Sequence, residues 1–170
     1  GARGAGLLVS LLVVNAAQVV TPQGRAARSG SRQGEVARHP RAVVRAEGPT
    51  VVFVGERAEH DRRFGPANTV VDAEGGCVIP AFVDPHTHLP FAGYREAEFD
   101  RRLRGETYAQ IAASGGGIVA TVAATRAASE DELAAATSER LDRQLLWGTA
   151  TTEAKSGYGL NLQDELKQLS

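Results

Sequence analysis

Cys77-Val78-Ile79-Pro80-Ala81-Phe82-Val83-Asp84-Pro85-His86-Thr87-His88 is an apolar run that ends in two histidines one residue apart. A continuous apolar stretch such as Cys77–Val83 reads as a parallel strand buried on both faces. Side chains along a strand alternate between faces, so positions i and i+2 share one. His86 and His88 therefore reach the same side at the strand's exit. Neutral imidazole nitrogen is a good ligand for zinc, iron, nickel or copper, and two on one face make half of a metal site.

Downstream of the histidines the pattern turns helical. A loop comes first, then helix-compatible segments around Thr107–Ala113 and Val119–Ala127. Ser129-x-x-Glu132 is a capping box that opens a longer helix. Leu133, Leu141 and Leu145 recur on one face of it, Glu139 and Arg143 are spaced for an i,i+4 pair, and Gly148 stands where a C-terminal cap belongs. Thr149–Ala154 reads as a second buried strand, leading into Lys155-Ser156-Gly157-Tyr158-Gly159. Strand, helices, strand and the start of another helix make an α/β pattern, the opening of an incomplete (β/α)8 TIM-like barrel. In such barrels chemistry gathers at the C-terminal ends of strands. His86, His88, Lys155 and Tyr158 all fall there.

Upstream, residues 7–78 read as β. Leu11–Val14, Ala42–Arg45, Val51–Val54 and Thr69–Asp72 are short β-branched-rich runs, separated by turn signals such as Thr21-Pro22-Gln23-Gly24 and Glu74-Gly75-Gly76. Residues 24–40 are rich in Arg, Gly and Ser without usable periodicity, which predicts a loop or disordered insert. The expected division is 1–76 for the β part and 77–170 for a truncated barrel part.

The chain has 170 residues, a net charge of −1 and no methionine, even at position 1. With its last helix stopping at Ser170, it is expected to be a fragment that is inactive and poorly folded alone. The near-neutral charge gives no reason to expect nucleic acid. Residues 1–45 carry seven arginines and one acid, Glu35, but no aromatic residues interleave with them, so this basic arm reads as solvated surface. The apolar run Leu7–Val14 resembles a short signal core. It is too short to span a membrane and continues into further strand-like sequence, so neither secretion nor a membrane is expected. Cys77 is the one cysteine, which excludes an internal disulfide, suits a cytoplasmic location and, in its apolar run, predicts a buried inert thiol.

With these residues in place the chain resembles the amidohydrolase superfamily, and within it the imidazolonepropionase family. The likeness rests on the series from Asp84-Pro85-His86-Thr87-His88 through Leu89-Pro90-Phe91-Ala92-Gly93-Tyr94-Arg95. Glu98-Phe99, Leu103-x-Gly105-x-Thr107-Tyr108, Gly115-Gly116-Gly117-Ile118 and Thr125-Arg126-Ala127-Ala128 extend it, and Glu153-Ala154-Lys155-Ser156-Gly157-Tyr158-Gly159-Leu160 closes it. The match runs from about Val78 to the end; residues 1–70 match only loosely. The resemblance implies a small composite β-sandwich preceding the barrel, a single zinc or iron held by His86 and His88, and substrate contacts from Arg95 and Tyr158. It implies hydrolysis of the cyclic amide 4-imidazolone-5-propanoate to N-formimino-L-glutamate in histidine degradation, by a full-length parent that is a possible homodimer. The family's remaining histidine and aspartate ligands, and with them the general base, are expected beyond Ser170.

The chemistry accounts for the residue types. A lactam carbonyl resists water, so a metal with an open coordination position is needed to acidify water and polarise the carbonyl. Arg95 suits a propionate or a developing oxyanion, or else forms a surface pair with Glu96 or Glu98. The Tyr158 hydroxyl suits a hydrogen bond to substrate, or else the ring packs at the rim. Lys155 reads as a charge near the pocket rather than a ligand. Gly115-Gly116-Gly117 reads as a flexible loop in preference to an anion cradle. His39 and His60 read as surface residues. Two alternatives remain: another cyclic amidase or aminohydrolase of the superfamily, which shares His86 and His88 but not the Arg95 and Tyr158 surroundings, and a non-catalytic truncated relic.

Overall fold

The computed structural model describes residues 9–24 and 26–170. Leu7, Leu8 and Arg25, part of the apolar run and the basic arm, lie outside them. The chain divides into two compact units that meet between Pro80 and Ala81.

The first unit holds two sheets. One has the order β5-β4-β1-β6, built from β1 (Ser10–Val14), β4 (Val43–Glu47), β5 (Thr50–Gly55) and β6 (Thr69–Asp72). The other, β3-β2-β7, comprises β2 (Gln18–Pro22), β3 (Val36–Pro40) and β7 (Cys77–Val78). Alternation along β1 puts Ser10, Leu12 and Val14 inside, where Leu12 and Val14 cluster with Val43 and Phe53. Ala16, Val19 and Ala42 form a second cluster, covered by Val44 and Val54 from one sheet and Val78 from the other.

Several expectations are corrected in this unit. The segment 24–40 is not wholly a loop: Gly30–Gly34 forms a short 3-10 helix and β3 pairs antiparallel with β2, from Gln18↔Pro40 to Pro22↔Val36. Such non-local pairing leaves no local period to read. A helix, α1 (Arg57–Arg63), interrupts the all-β reading. His60 on it is buried, 2% exposed, stacked on Phe64 with ring centroids 5.3 Å apart. Arg45 is also buried, because its guanidinium donates to the Gly65 carbonyl (2.8 Å) and to Glu47 (3.1 Å); paired in this way, a charge is tolerated inside. Since Arg45 only donates, the His60 Nε2 facing it at 3.4 Å is the acceptor, and Nδ1 donates to Asp61 at 2.8 Å. Cys77 is exposed rather than buried.

The run Cys77–Val83 is two strands, not one. It breaks at Ile79-Pro80-Ala81 between β7 and β8 (Phe82–Thr87), and proline there removes a ladder donor. In the second unit β8 pairs in parallel with β9 (Thr149–Ala154), from Phe82↔Thr149 to Thr87↔Ala154. Between them lie α2 (Glu96–Leu103), α3 (Tyr108–Ala113), α4 (Ile118–Ala127) and α5 (Glu130–Leu146); α6 (Leu162–Lys167) follows. The mixed α/β class expected for this part is thus observed. The capping box opens α5, with Ser129 accepting from the Glu132 N–H and Glu132 accepting from that of Ser129. Ser129→Ala is expected to cost about 1 kcal/mol, read as a lowered midpoint in urea denaturation.

Burial departs from expectation here. Of the three leucines expected on one face of α5 only Leu133 is buried; Leu141 and Leu145 are exposed, as is the helix's fourth leucine, Leu146. Phe82 and Val83 are exposed although they lie on β8. A two-stranded sheet has two open edges and, among the described residues, no neighbouring strand to shield its faces. No described helix is long and apolar enough to cross a membrane.

Candidate active site

Because β8 and β9 run in parallel, their C-terminal ends lie on one side, and Thr87–His88 comes beside Lys155–Tyr158. The Lys155 N–H donates to the Thr87 carbonyl at 2.9 Å, and the Thr87 hydroxyl donates to the Glu153 carbonyl at 2.8 Å. The two imidazoles stand side by side, centroids 5.4 Å apart and edge to face. His86 is exposed and His88 half-buried. The Nδ1 of His88 is 2.7 Å from the Ser156 carbonyl. A carbonyl only accepts, so Nδ1 carries the proton and Nε2 of the neutral ring keeps its lone pair. This is the tautomer and the outer-shell bond typical of a metal-bound histidine. Donor chemistry and orientation thus suit a metal. No group of three or more His, Cys, Asp or Glu able to hold one occurs among the described residues.

Tyr158 packs edge-on against His88 at 5.8 Å and against Phe91 at 5.6 Å. Phe91 in turn lies 5.6 Å from Tyr94. Arg140 from α5 covers this aromatic cluster, its guanidinium 3.7 Å from the Phe91 centroid, and donates to the Leu89 carbonyl at 2.7 Å. A cation over a ring face is worth about 0.5–2 kcal/mol. Sequence reasoning passed over Arg140; its place on α5, facing the loop after His88, is the one trace it leaves in the sequence.

Arg95 lies elsewhere in its contacts. It caps α2 and its ion pair is with Glu98, at 3.7 Å. Glu98 also accepts the Gly117 N–H at 2.7 Å, so an anion does sit at the glycine loop, and it is this chain's own carboxylate. Lys155 pairs with Glu153 at 2.6 Å, and its hydrogen bond and positive charge hold the Glu153 carboxyl below its ordinary range.

Gly157 and Gly159 are required by close approach. Gly157 has φ +151°, and a Cβ there would lie 2.7 Å from His88 Nδ1. A Cβ on Gly159 would lie 2.5 Å from the Glu165 backbone nitrogen. A cavity of about 640 Å³ is lined by Pro90, Leu133, Thr137, Ala154 and Gln168 among others and does not touch the histidines.

No family model matches the chain. Among curated proteins, imidazolonepropionase of Symbiobacterium thermophilum is 52% identical over 163 residues, 95% of this chain and 38% of that protein. The imidazolonepropionases of Porphyromonas gingivalis, 46% identical, and Myxococcus xanthus, 50% identical, match over the same shares, 95% and 38%. The likeness to this family, expected from the motifs after Val78, is therefore borne out and extends through most of the first unit. The chain spans 38% of the length of these relatives. Two solved structures, an ochratoxinase of A. niger and a triazine hydrolase from Arthobacter aurescens, superpose with TM-scores of 0.47 and 0.48 at 15% identity, over 89% and 94% of this chain and 27% and 32% of theirs. At that level the superpositions carry no argument.

Proposed function

We propose that this chain is part of an imidazolonepropionase, a hydrolase that opens 4-imidazolone-5-propanoate to N-formimino-L-glutamate in histidine degradation. The observation that carries the reading is the cluster at the end of the β8–β9 pair: two adjacent imidazoles, one with its Nε2 freed by the Ser156 carbonyl, and Tyr158 against it. Its support is the 46–52% identity to imidazolonepropionases along 95% of the chain. The parallel pair joined through helices, with Phe82, Val83 and Leu145 exposed, reads as the first strands and helices of a (β/α)8 barrel, and the two sheets of the first unit as part of a composite β-sandwich.

His86 and His88 would hold one zinc or iron ion through Nε2, with further ligands and the general base supplied by the rest of the protein. When bound, the ion supplies an acidified water and a polarised lactam carbonyl. In the overall reaction water adds to that carbonyl, the ring C–N bond breaks, the oxygen ends in the new carboxylate and the nitrogen takes a proton. The Tyr158 hydroxyl would hydrogen-bond the ring. Arg95 would exchange its long ion pair with Glu98 for a charge-assisted bond to the propionate. Phe91, Tyr94 and Arg140 would wall the pocket and limit water. The parent protein is read as cytoplasmic, a possible homodimer, with a small-molecule substrate.

The test is to assay the full-length protein on 4-imidazolone-5-propanoate, guanine and hydantoin, with bound metal quantified. Turnover of the first alone, with about one zinc or iron per chain, is expected. Turnover of guanine or hydantoin instead would move the protein to another amidohydrolase, and no turnover with no metal would refute catalysis.

A further inference from the structure

The loop that carries Tyr158 is held from behind by side chains that no part of the reaction uses. The Glu165 carboxylate accepts the Gly159 N–H at 2.8 Å and the Leu160 N–H at 2.7 Å. Gln168, 6% exposed, accepts the Tyr158 N–H at 3.3 Å and donates to the Asp164 carbonyl at 2.8 Å. Arg126 from α4 donates to the Gly159 carbonyl at 2.7 Å. The absence of a side chain on Gly159 lets the loop lie directly on the α6 backbone. Hydrogen bonding to Ser156, then to the Leu160 and Gly159 amides, holds the Glu165 carboxyl below its ordinary range, so it is an anion at neutral pH.

The same loop presents the Ser156 carbonyl to His88 Nδ1. Every polar group that fixes the loop from α6 thus bears on the tautomer of a candidate metal ligand. Two backbone amides converging on one carboxylate hold a loop more firmly than single contacts, because charge-assisted bonds are about twice as strong as neutral ones.

We propose that Glu165 is a positioning residue: by clamping Gly159 and Leu160 it holds the Ser156 carbonyl against His88 Nδ1, which keeps His88 Nε2 free and oriented for metal. The proposal rests on the hydrolase reading for its metal but not for its geometry. It assigns to α6 a function that its short, half-exposed sequence does not suggest.

The experiment uses the full-length protein stripped of metal. The tautomer of His88 is read from its imidazole ¹⁵N shifts, assigned by their loss in His88→Gln. The wild type is expected to show Nδ1–H. Glu165→Ala is expected to admit the Nε2–H form and to raise the zinc dissociation constant, measured by chelator competition, about 10–100-fold. Glu165→Gln keeps an acceptor oxygen and is expected to return both readouts most of the way. If Glu165→Ala does not fold, Glu165→Asp, which keeps the charge but falls short of the two amides, is read in the same manner and is expected to shift both readouts in the same direction. A folded Ala or Asp variant that is less stable but keeps the wild-type tautomer and zinc constant overturns the proposal. Should the wild type bind neither zinc nor iron, the hydrolase reading fails, and the tautomer comparison, which needs no metal, still decides for or against Glu165.

Discussion

In the full-length protein, His88→Ala is expected to empty the metal site and lower kcat/KM by on the order of 10³-fold or more. The magnitude follows from what the ion would do: a bound metal lowers the pKa of its water to about 7, and without it the nucleophile is scarce at neutral pH. His86→Ala should act alike, since two imidazoles on one strand face cannot replace each other. Metal content by atomic absorption, measured beside the rate, separates this outcome from unfolding. Retention of a full equivalent of metal in both variants would remove these histidines from the ligand set. His88 is the more informative of the two, because its Nδ1 is already committed to the Ser156 carbonyl. A glutamine there can present an amide oxygen but not an imidazole lone pair, so His88→Gln should also lose metal while keeping the fold.

Gly157→Ala carries the second large effect. The added methyl would stand 2.7 Å from Nδ1 and 2.8 Å from Cε1 of His88, on a residue with φ +151°. Real Cβ atoms do not approach so closely, so either the loop or the imidazole moves. A displaced backbone costs about 1–3 kcal/mol, and a displaced imidazole loses its outer-shell bond and about 10–100-fold in metal affinity. Thermal denaturation and chelator competition on the same preparation read the two costs separately. Wild-type values in both would mean that the loop yields without consequence and that Gly157 is incidental.

Local chemistry made part of this protein legible. The capping box at Ser129 and Glu132 and the Gly148 stop with its φ of +90° are determined by neighbours within four residues, and each stands where the spacing puts it; the strand after them falls at Thr149–Ala154 as expected but is mostly exposed rather than buried, because burial depends on what packs against it. The helix α2 was hidden for the opposite reason. Its eight residues carry one apolar i,i+4 pair, Phe99 and Leu103, among five charged ones, too short a pattern to tell from a loop, and neither member of the pair is buried. Arg45 and His60 run against a surface reading because polar residues are normally outside; Arg45 is buried through the Gly65 carbonyl, 20 positions away and near only once the chain folds, whereas Phe64, which stacks on His60, stands one helical turn on at the end of α1.

The candidate site divides along the same line. Sequence alone determined the pairing of His86 with His88, because a period of two places them on one face whatever else the chain does. It also determined the family likeness, through motifs whose order and separations are a property of the string. Only the tertiary structure decided which nitrogen of His88 is free, since that depends on the carbonyl of Ser156, 68 positions away. It also decided that Tyr158 stands against His88, whereas the pair of Arg95 with Glu98 is a local i,i+3 contact already offered by the spacing. The physical reason is that a parallel pair joins strand ends distant in sequence, and the contacts made there are set by register and by the α6 clamp rather than by any local period.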